Sequence, residues 1–186
     1  VPLTNPVAVG DRVEIEPSQK GEGMIKGILP RRNYVARQSP RRKHDLHLLA
    51  ANIDQAVLIV TVVHPNLKPG FIDRFLLMTE PHEIPVTLVF NKGDLYDAED
   101  VAMFFAMKEI YEKIGYQVLA TSVVERKGLE AFAEVLKGKT TLLSGQSGVG
   151  KSSLVNAIQP QLELRTGELS GHSGKGQHTT TFAEML

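Results

Sequence analysis

One short stretch of the sequence has the residue types and spacing of a loop that binds phosphate. Residues 145–152, Gly-Gln-Ser-Gly-Val-Gly-Lys-Ser, fit the pattern G-x-x-x-x-G-K-[ST]. In such a loop, backbone N–H groups and the N-terminus of the next helix converge on one phosphate chain. We predict that Lys151 bridges the β- and γ-oxygens of a nucleotide and that the Ser152 hydroxyl ligates Mg²⁺. The predicted phosphate-binding residues are Gly145, Gln146, Ser147, Gly148, Val149, Gly150, Lys151, Ser152 and Ser153.

The residues on both sides of this loop agree with that assignment. Residues 139–144 have the composition of a buried strand, and residues 153–158 that of a helix that ends before Pro160. A glycine-rich turn without a ligand is the alternative. Strand, loop and helix in this order are the context that a phosphate-binding loop requires, so the sequence predicts a nucleotide-binding protein.

A second motif, Asn91-Lys92-Gly93-Asp94, follows a buried strand predicted at residues 86–90. The Asp94 carboxylate can accept hydrogen bonds from both the ring N–H and the exocyclic amine of guanine, a donor pair that adenine lacks. Asn91 can reach the opposite edge of the base, and the stem of Lys92 can cover its face. A turn that caps a helix is the alternative, but the phosphate-binding loop in the same chain favours recognition of guanine by Asn91, Lys92 and Asp94.

A third segment, Thr121-Ser122-Val123, follows the next predicted strand. It is similar to the S-A-x segment of GTPases, in which a backbone N–H contacts the guanine oxygen. Val123 replaces the usual alanine, but a backbone contact does not depend on that side chain. We predict that Ser122 and Val123 bind the nucleotide; an ordinary turn at the end of a strand is the alternative.

The elements that must position these motifs alternate between strand and helix. Residues 55–63 form a continuous apolar run rich in β-branched residues, which is typical of a strand buried on both faces of a parallel sheet. The fold class predicted is α/β, a doubly wound and mostly parallel sheet that binds ligands at the carboxyl ends of its strands. The predicted strands are 55–63, 86–90, 117–121 and 139–144, and the predicted helices are 71–80, 97–114 (amphipathic), 128–136 and 153–158.

The N-terminal part of the chain differs from the rest. Residues 1–37 indicate a small β unit with strands at 11–16 and 24–29, which we interpret as the second half of a small barrel that begins upstream of Val1. We place the N-terminal unit and its basic linker at 1–45 and the second domain at 46–186. The chain has no cysteine and no apolar run of the roughly 20 residues that span a bilayer, which fits a cytosolic protein.

Between residues 24 and 44 there are seven basic residues and no acidic one, although the net charge of the chain is zero. A solvated surface is one interpretation of this run. We favour a patch that binds nucleic-acid phosphate, because Lys and Arg release condensed counterions there. The predicted RNA-binding residues are Arg31, Arg32, Arg37, Arg41, Arg42 and Lys43.

The order of the motifs identifies a family. Most GTPases carry the phosphate-binding loop before N-K-x-D, whereas here Asn91 precedes Gly145, the order of circularly permuted GTPases. The β unit, Arg31-Arg32-Asn33, the G-x-S-G-V-G-K-S loop and the G-Q-H-T-T-T sequence at 176–181 occur together. The chain thereby closely resembles the ribosome small-subunit-dependent GTPases (the RsgA/YjeQ family) over essentially its whole length.

The resemblance implies an OB-fold at the N-terminus, a permuted GTPase domain and a zinc-binding C-terminal domain. It implies a GTPase that acts late in the maturation of the small ribosomal subunit and hydrolyses GTP slowly without that subunit. The expected cofactor is Mg²⁺ with GTP or GDP, and Zn²⁺ is expected only in the C-terminal domain, which we expect to lie outside this cysteine-free chain. The expected partners are the small subunit and its rRNA, for a monomeric, cytoplasmic protein without membrane contact.

The resemblance also implies catalytic residues, namely Lys151 together with a switch segment at 176–181. Thr180 aligns best with the magnesium-binding threonine, with Thr179 as the alternative, although a run of threonines also suits a strand. His178 could orient the attacking water or could be an incidental histidine of a loop. The last aspartate is Asp100, so the D-x-x-G segment is missing and we expect nucleotide binding with poor hydrolysis from a partial sequence.

Two other functions stay open at this point. In one, bound nucleotide switches the affinity of a basic RNA-binding surface and hydrolysis is incidental. In the other, the chain is an ATP-dependent enzyme, which Asn91 and Asp94 disfavour.

Overall fold

The computed structural model describes residues 6–17, 22–38, 45–165 and 185 of the 186-residue chain. Four strands come first, followed by alternating strands and helices. The N-terminal strands are β1 (Val13–Pro17), β2 (Gly23–Ile28), β3 (Tyr34–Gln38) and β4 (Leu46–Ala51). The later strands are β5 (Gln55–Val60), β6 (Val86–Phe90), β7 (Gln117–Ala120) and β8 (Thr141–Gly145). The helices are α1 (Pro69–Thr79), α2 (Ala98–Lys113), α3 (Leu129–Leu136) and α4 (Lys151–Ile158).

The later strands form one parallel sheet in the order β7-β6-β5-β8, which confirms the predicted α/β class. β5 lies inside this sheet, and all of its residues are buried. Alternate side chains of β5 belong to two different cores, because successive residues of a strand point to opposite faces. Leu58 packs with Ile72 and Phe75 of α1, whereas Ile59 packs with Phe132 of α3 and Leu154 of α4. The apolar run in the sequence therefore reflects two covered faces.

Helix α2 departs from the predicted amphipathic pattern. Its N-terminus is as expected, since the Asp97 side chain accepts from the backbone N–H groups of Glu99 and Asp100 in a capping box. Only Tyr111 of its residues is buried, while Met103 and Phe105 are exposed. The amphipathic assignment was wrong because apolar side chains occur around the whole circumference of the helix, and only one side of it packs on the sheet.

The N-terminal strands form two antiparallel pairs, β1 with β2 and β3 with β4. The sequence predicted β1 and β2 but neither β3 nor β4. The predicted boundary after residue 45 lies between β3 and β4, which are hydrogen-bonded to each other, and Val35 and Ala50 of this pair belong to the core that also contains α1. The division into two units stays a prediction, and this pairing argues against a boundary between β3 and β4. The assignment of these strands to a barrel also stays a prediction.

Within the described ranges, the structure contains no helix with the length and apolar character needed to cross a bilayer.

Candidate nucleotide-binding site

The phosphate-binding loop connects β8 to α4, as the sequence predicts, although the helix begins at Lys151, two residues earlier than expected. Two glycines give the loop its shape. Gly145 approaches the neighbouring strand so closely that a Cβ would lie 2.3 Å from the Ile59 carbonyl oxygen. Gly150 has φ +92°, and a Cβ there would lie 2.5 Å from Asn91 Nδ2. The loop can therefore lie against both β5 and the N-K-x-D motif only because these positions lack side chains.

Lys151 turns its side chain back into the loop. Its Nζ donates to the backbone carbonyl oxygens of Gly145 at 3.1 Å and Gln146 at 3.0 Å. Burial lowers the pKa of Lys151 from its usual range, because the charged form loses hydration. An ammonium group has three N–H donors, so these two bonds leave one for a phosphate oxygen. The ammonium is thus held at the mouth of a loop whose remaining backbone N–H groups suit an anion.

Asn91 joins the three predicted motifs to one another. Its side chain is buried, with Nδ2 donating to the Val149 carbonyl oxygen at 2.9 Å and Oδ1 accepting from Thr121 Oγ1 at 2.9 Å. Its backbone N–H donates to the Val60 carbonyl oxygen at 2.8 Å. Because one side chain ties the phosphate-binding loop to the Thr121 segment, these loops are held in a fixed geometry. The second Nδ2 hydrogen remains for the base contact that the sequence suggested.

Ser122 orients the carboxylate of Asp94. The Ser122 hydroxyl donates to Asp94 Oδ1 at 2.6 Å and accepts from the Glu125 backbone N–H at 3.0 Å. The Gly93 backbone N–H also donates to the Thr121 carbonyl oxygen at 3.1 Å. A carboxylate fixed in this way presents its remaining lone pairs in a defined direction, which is what recognition of two adjacent N–H donors requires.

Lys92 adopts a left-handed backbone conformation with φ +65°. Its Nζ donates to the carbonyl oxygen of His64 at 2.7 Å, which lies in the loop after β5. Burial lowers the pKa of Lys92, and the nearby Asp94 carboxylate opposes that shift. The stem of Lys92 therefore runs along the site between two fixed ends, as a side chain that covers the face of a base must.

Two contributors to this site were not predicted from the sequence, namely Thr121 as the partner of Asn91 and the loop that contains His64. A threonine directly before the serine of the third segment was a signal for the first. Nothing in the pattern of residues 61–67 indicated the second, because its contact with Lys92 is made by a backbone carbonyl group.

Two of the predicted RNA-binding arginines, Arg31 and Arg32, have partners within the chain. Arg31 donates to both Asp11 carboxylate oxygens, from Nε at 2.6 Å and from Nη2 at 2.8 Å, and Arg32 Nη2 donates to Asp54 Oδ1 at 2.8 Å. The pairing with Arg31 lowers the pKa of Asp11 below its usual range, mainly through the hydrogen bond. Arg37 is exposed on β3. The structure thus supplies Arg31 and Arg32 with intramolecular partners, which weakens the case for both as RNA contacts.

Five predicted site residues lie outside the described residues: Arg41, Arg42, Lys43, His178 and Thr180. The alternative ligand Thr179 lies outside them as well.

A nucleotide-bound magnesium ion fits the residues that are described. Ser152 stands in the first turn of α4, directly after Lys151 at the end of the phosphate-binding loop. Mg²⁺ usually keeps several waters and takes only one or two protein oxygens besides the phosphates. One hydroxyl beside a phosphate-binding loop therefore suffices. In the described part of the chain, no three histidine, aspartate or glutamate side chains converge as a separate metal site would require.

A parallel sheet with these motifs at its carboxyl edge, and with the phosphate-binding loop after N-K-x-D, defines a circularly permuted P-loop GTPase fold. Comparison with known proteins agrees, since the model of the RsgA GTPase family matches residues 28–186. This chain belongs to the RsgA GTPase family. The family and the fold predicted from the order of the motifs are thus confirmed.

Relatives of known description support this assignment. The chain is 47% identical over 183 residues to the small ribosomal subunit biogenesis GTPase RsgA of Bacteroides fragilis, covering 98% of this chain and 59% of that protein. It is 48% identical over 185 residues to the protein of the same name from Porphyromonas gingivalis, again covering 98% of this chain and 59% of that one. The chain thus spans about three-fifths of the length of these relatives.

Two solved structures have the same fold. YjeQ from Thermotoga maritima superposes with a TM-score of 0.68 at 39% identity, covering 91% of this chain and 58% of the other. YloQ, described as a circularly permuted GTPase, superposes with a TM-score of 0.59 at 34% identity, covering 93% of this chain and 56% of the other.

Proposed function

We propose that this protein binds GTP and GDP with Mg²⁺ and hydrolyses GTP during late maturation of the small ribosomal subunit, with hydrolysis stimulated by that subunit. The observation that carries this proposal is the buried Asn91 side chain, which joins the N-K-x-D motif to the phosphate-binding loop at Val149 and to Thr121. A guanine-binding motif and a phosphate-binding loop held at this spacing suit one guanine nucleotide.

Recognition of the base rests on Asp94. Its carboxylate accepts from the ring N–H and the exocyclic amine of guanine, while Ser122 holds its other edge. Adenine offers no such donor pair, so binding it would leave the carboxylate without the two base donors, at a cost of about 1–3 kcal/mol or more. The Val123 backbone N–H supplies a contact to the guanine oxygen.

Hydrolysis needs charge stabilisation and a positioned water. Lys151 stabilises the β- and γ-oxygens, and the backbone of residues 145–150 surrounds the phosphates. Ser152 and Thr180 would hold magnesium, which would neutralise charge that develops on the phosphates. We propose that His178 orients the attacking water once the ribosomal subunit is bound.

The proposed partners are the small ribosomal subunit and its rRNA, as the names of the relatives suggest for those proteins. Arg37, Arg41, Arg42 and Lys43 are the proposed RNA contacts, since Arg31 and Arg32 already have carboxylate partners. The protein is proposed to act as a cytoplasmic monomer without a membrane partner, and Zn²⁺ is proposed only for the C-terminal domain of its family.

The deciding experiment measures GTP turnover with and without purified small ribosomal subunits, with ATP as the control. We expect stimulation by the subunit with GTP and none with ATP. Tight GTP binding without stimulation would contradict the enzymatic proposal and would favour a protein whose RNA affinity is switched by nucleotide.

Recognition of guanine has its own test in Asp94→Asn. The amide loses one acceptor and places a donor against the guanine amine, so we expect GDP affinity to fall about 100-fold, the equivalent of about 3 kcal/mol for two bonds to a charged group. Xanthosine diphosphate is the matched control, because its 2-oxo group accepts from that amide and its affinity should rise. An unchanged preference for GDP over ADP would contradict the role of Asp94.

A further inference from the structure

The two central strands separate at the nucleotide-binding edge of the sheet. Their last direct contact there is the Asn91 backbone N–H, which donates to the Val60 carbonyl oxygen at 2.8 Å. One step further, the hydroxyl of Tyr96 lies between the strands. It accepts from the Val62 backbone N–H at 3.3 Å and donates to the Asn91 carbonyl oxygen at 3.0 Å. A side-chain hydroxyl therefore occupies the place of a backbone bond between neighbouring strands.

Tyr96 belongs to the same loop as the motif it contacts. A short 3-10 helix at Gly93–Leu95 carries Asp94, and Tyr96 follows it directly. The Tyr96 ring packs against the core on the α1 side of the sheet, and burial raises the pKa of Tyr96 to about 12. The hydroxyl is therefore protonated at neutral pH and remains a donor to the Asn91 carbonyl group.

The other partner of this hydroxyl, Val62, belongs to the loop that holds Lys92. That loop is closed by two bonds, from Thr61 Oγ1 to the Pro65 carbonyl oxygen at 2.6 Å and from the Leu67 N–H to the Val62 carbonyl oxygen at 2.8 Å. The carbonyl group of His64 in this loop accepts from Lys92 Nζ. One hydroxyl thus contacts the backbone of Asn91 directly and reaches Lys92 through the loop.

We propose that Tyr96 is a positioning residue for guanine recognition, whose hydroxyl keeps β5 and β6 apart and thereby places Asn91 and Lys92 against the base. This inference rests on the proposed binding of guanine nucleotides. Without the hydroxyl, the Val62 N–H and the Asn91 carbonyl group lose their partner in a partly buried place. They regain one by moving toward each other, which displaces Asn91 and Lys92 from the base.

The role assigned to Tyr96 differs from that of Asp94 in a measurable way. Asp94 contacts the exocyclic amine, which inosine diphosphate lacks, whereas Asn91 and Lys92 contact the opposite edge and the face of the base. Loss of the Tyr96 hydroxyl should therefore weaken GDP and inosine diphosphate by the same factor. Loss of the Asp94 carboxylate should weaken GDP more.

The test compares Tyr96→Phe with Tyr111→Phe in the same chain. Tyr111 is the matched control, because its hydroxyl also makes a partly buried hydrogen bond, to Asp73 Oδ1 at 2.9 Å, but between α1 and α2. We expect Tyr96→Phe to lower the affinities for GDP and inosine diphosphate about tenfold each and to leave ADP unchanged. Tyr111→Phe should change none of them by more than about twofold.

Equal effects of the two variants on GDP would overturn the inference, and so would a loss for Tyr96→Phe that extends to ADP. If the unchanged protein does not prefer GDP over ADP, the proposed function itself fails. That result is distinct from a failure of the Tyr96 inference alone. If Tyr96→Phe does not fold, Thr61→Val loosens the same loop from its other end. We then expect a smaller loss, about threefold, again confined to guanine and inosine nucleotides, and no loss would contradict the proposal.

Discussion

The nucleotide-binding edge and the N-terminal strands both use a glycine where two backbone segments come close together, but with different consequences. Each contains a glycine in a left-handed conformation, with φ +92° at Gly150 and φ +91° at Gly10. Each glycine lies against another segment, since a Cβ would come within 2.5 Å of Asn91 Nδ2 in the first case and 2.0 Å of the Ala51 carbonyl oxygen in the second. The close contact joins two ligand-binding motifs at the edge of the sheet, whereas it only holds two segments together at the N-terminal strands.

The polar side chains of the two regions differ in the same way. At the nucleotide-binding edge, Asn91 and Ser122 form hydrogen bonds to neighbouring loops and still leave defined groups for a ligand. In the N-terminal region, Arg31 uses its guanidinium on Asp11 and on the Pro6 carbonyl oxygen at 2.7 Å. The motifs with fixed spacing thus predicted residues that the structure brings together, while a run of basic residues did not tell which of them have internal partners.

The largest expected effects separate the two glycines. Gly150→Ala should lower GDP affinity about 100-fold, because strain at positive φ and displacement of Asn91 together cost about 3 kcal/mol. Gly10→Ala should instead lower the free energy of unfolding by about 2 kcal/mol and change GDP affinity by less than about twofold. Titration calorimetry and urea unfolding of both variants measure the two quantities. A similar loss of GDP affinity in both would break the comparison.

A second, intermediate effect concerns the ion pair of Arg31. The Asp11 side chain is only 1% exposed and that of Arg31 is 18% exposed, so Arg31→Ala leaves a carboxylate largely buried without its partner. We expect the free energy of unfolding at pH 7 to fall by about 2 kcal/mol. GDP affinity should not change, because the pair lies away from the nucleotide-binding edge.

This difference should depend on pH in a defined direction. The pKa of Asp11 is lowered in the folded protein, so its stabilising effect is complete above the unfolded pKa of about 4 and is lost as the pH falls through the lower folded value. Urea unfolding of the unchanged protein and of Arg31→Ala should show a smaller difference in the free energy of unfolding near pH 3 than at pH 7. A constant difference would contradict the role of the Asp11 charge.

The smallest expected effect concerns the basic residues that remain exposed. Arg37→Ala should reduce the slope of log affinity for small-subunit rRNA against log salt concentration by about 0.7, as expected for the loss of one phosphate contact. Arg32→Ala is the matched control, because its guanidinium is paired with Asp54 and also donates to the Ile53 carbonyl oxygen. Equal changes in slope for the two variants would show that the internal partners of Arg32 do not prevent binding.

Much of the fold and of the candidate site could be predicted from local patterns. The buried strands β5 and β6 were recognised from continuous apolar runs, and the start of α2 from acidic residues beside Asp97. The strands β3 and β4 were missed because Tyr34–Gln38 and Leu46–Ala51 lack a clear alternation, and their pairing buries only part of each strand. The exposure of Phe105 was missed because a helical pattern does not state which side of the helix is covered.

The sequence by itself determined the family and the fold class, because the spacing of the phosphate-binding loop, the N-K-x-D motif and their order along the chain are local chemical facts. Only the tertiary structure decided how these parts meet. The sheet order β7-β6-β5-β8 brings Asn91 to Val149 across the chain and sets the Tyr96 hydroxyl between two strands. Hydrogen bonds between distant residues depend on which strands are neighbours, and no local pattern contains that information.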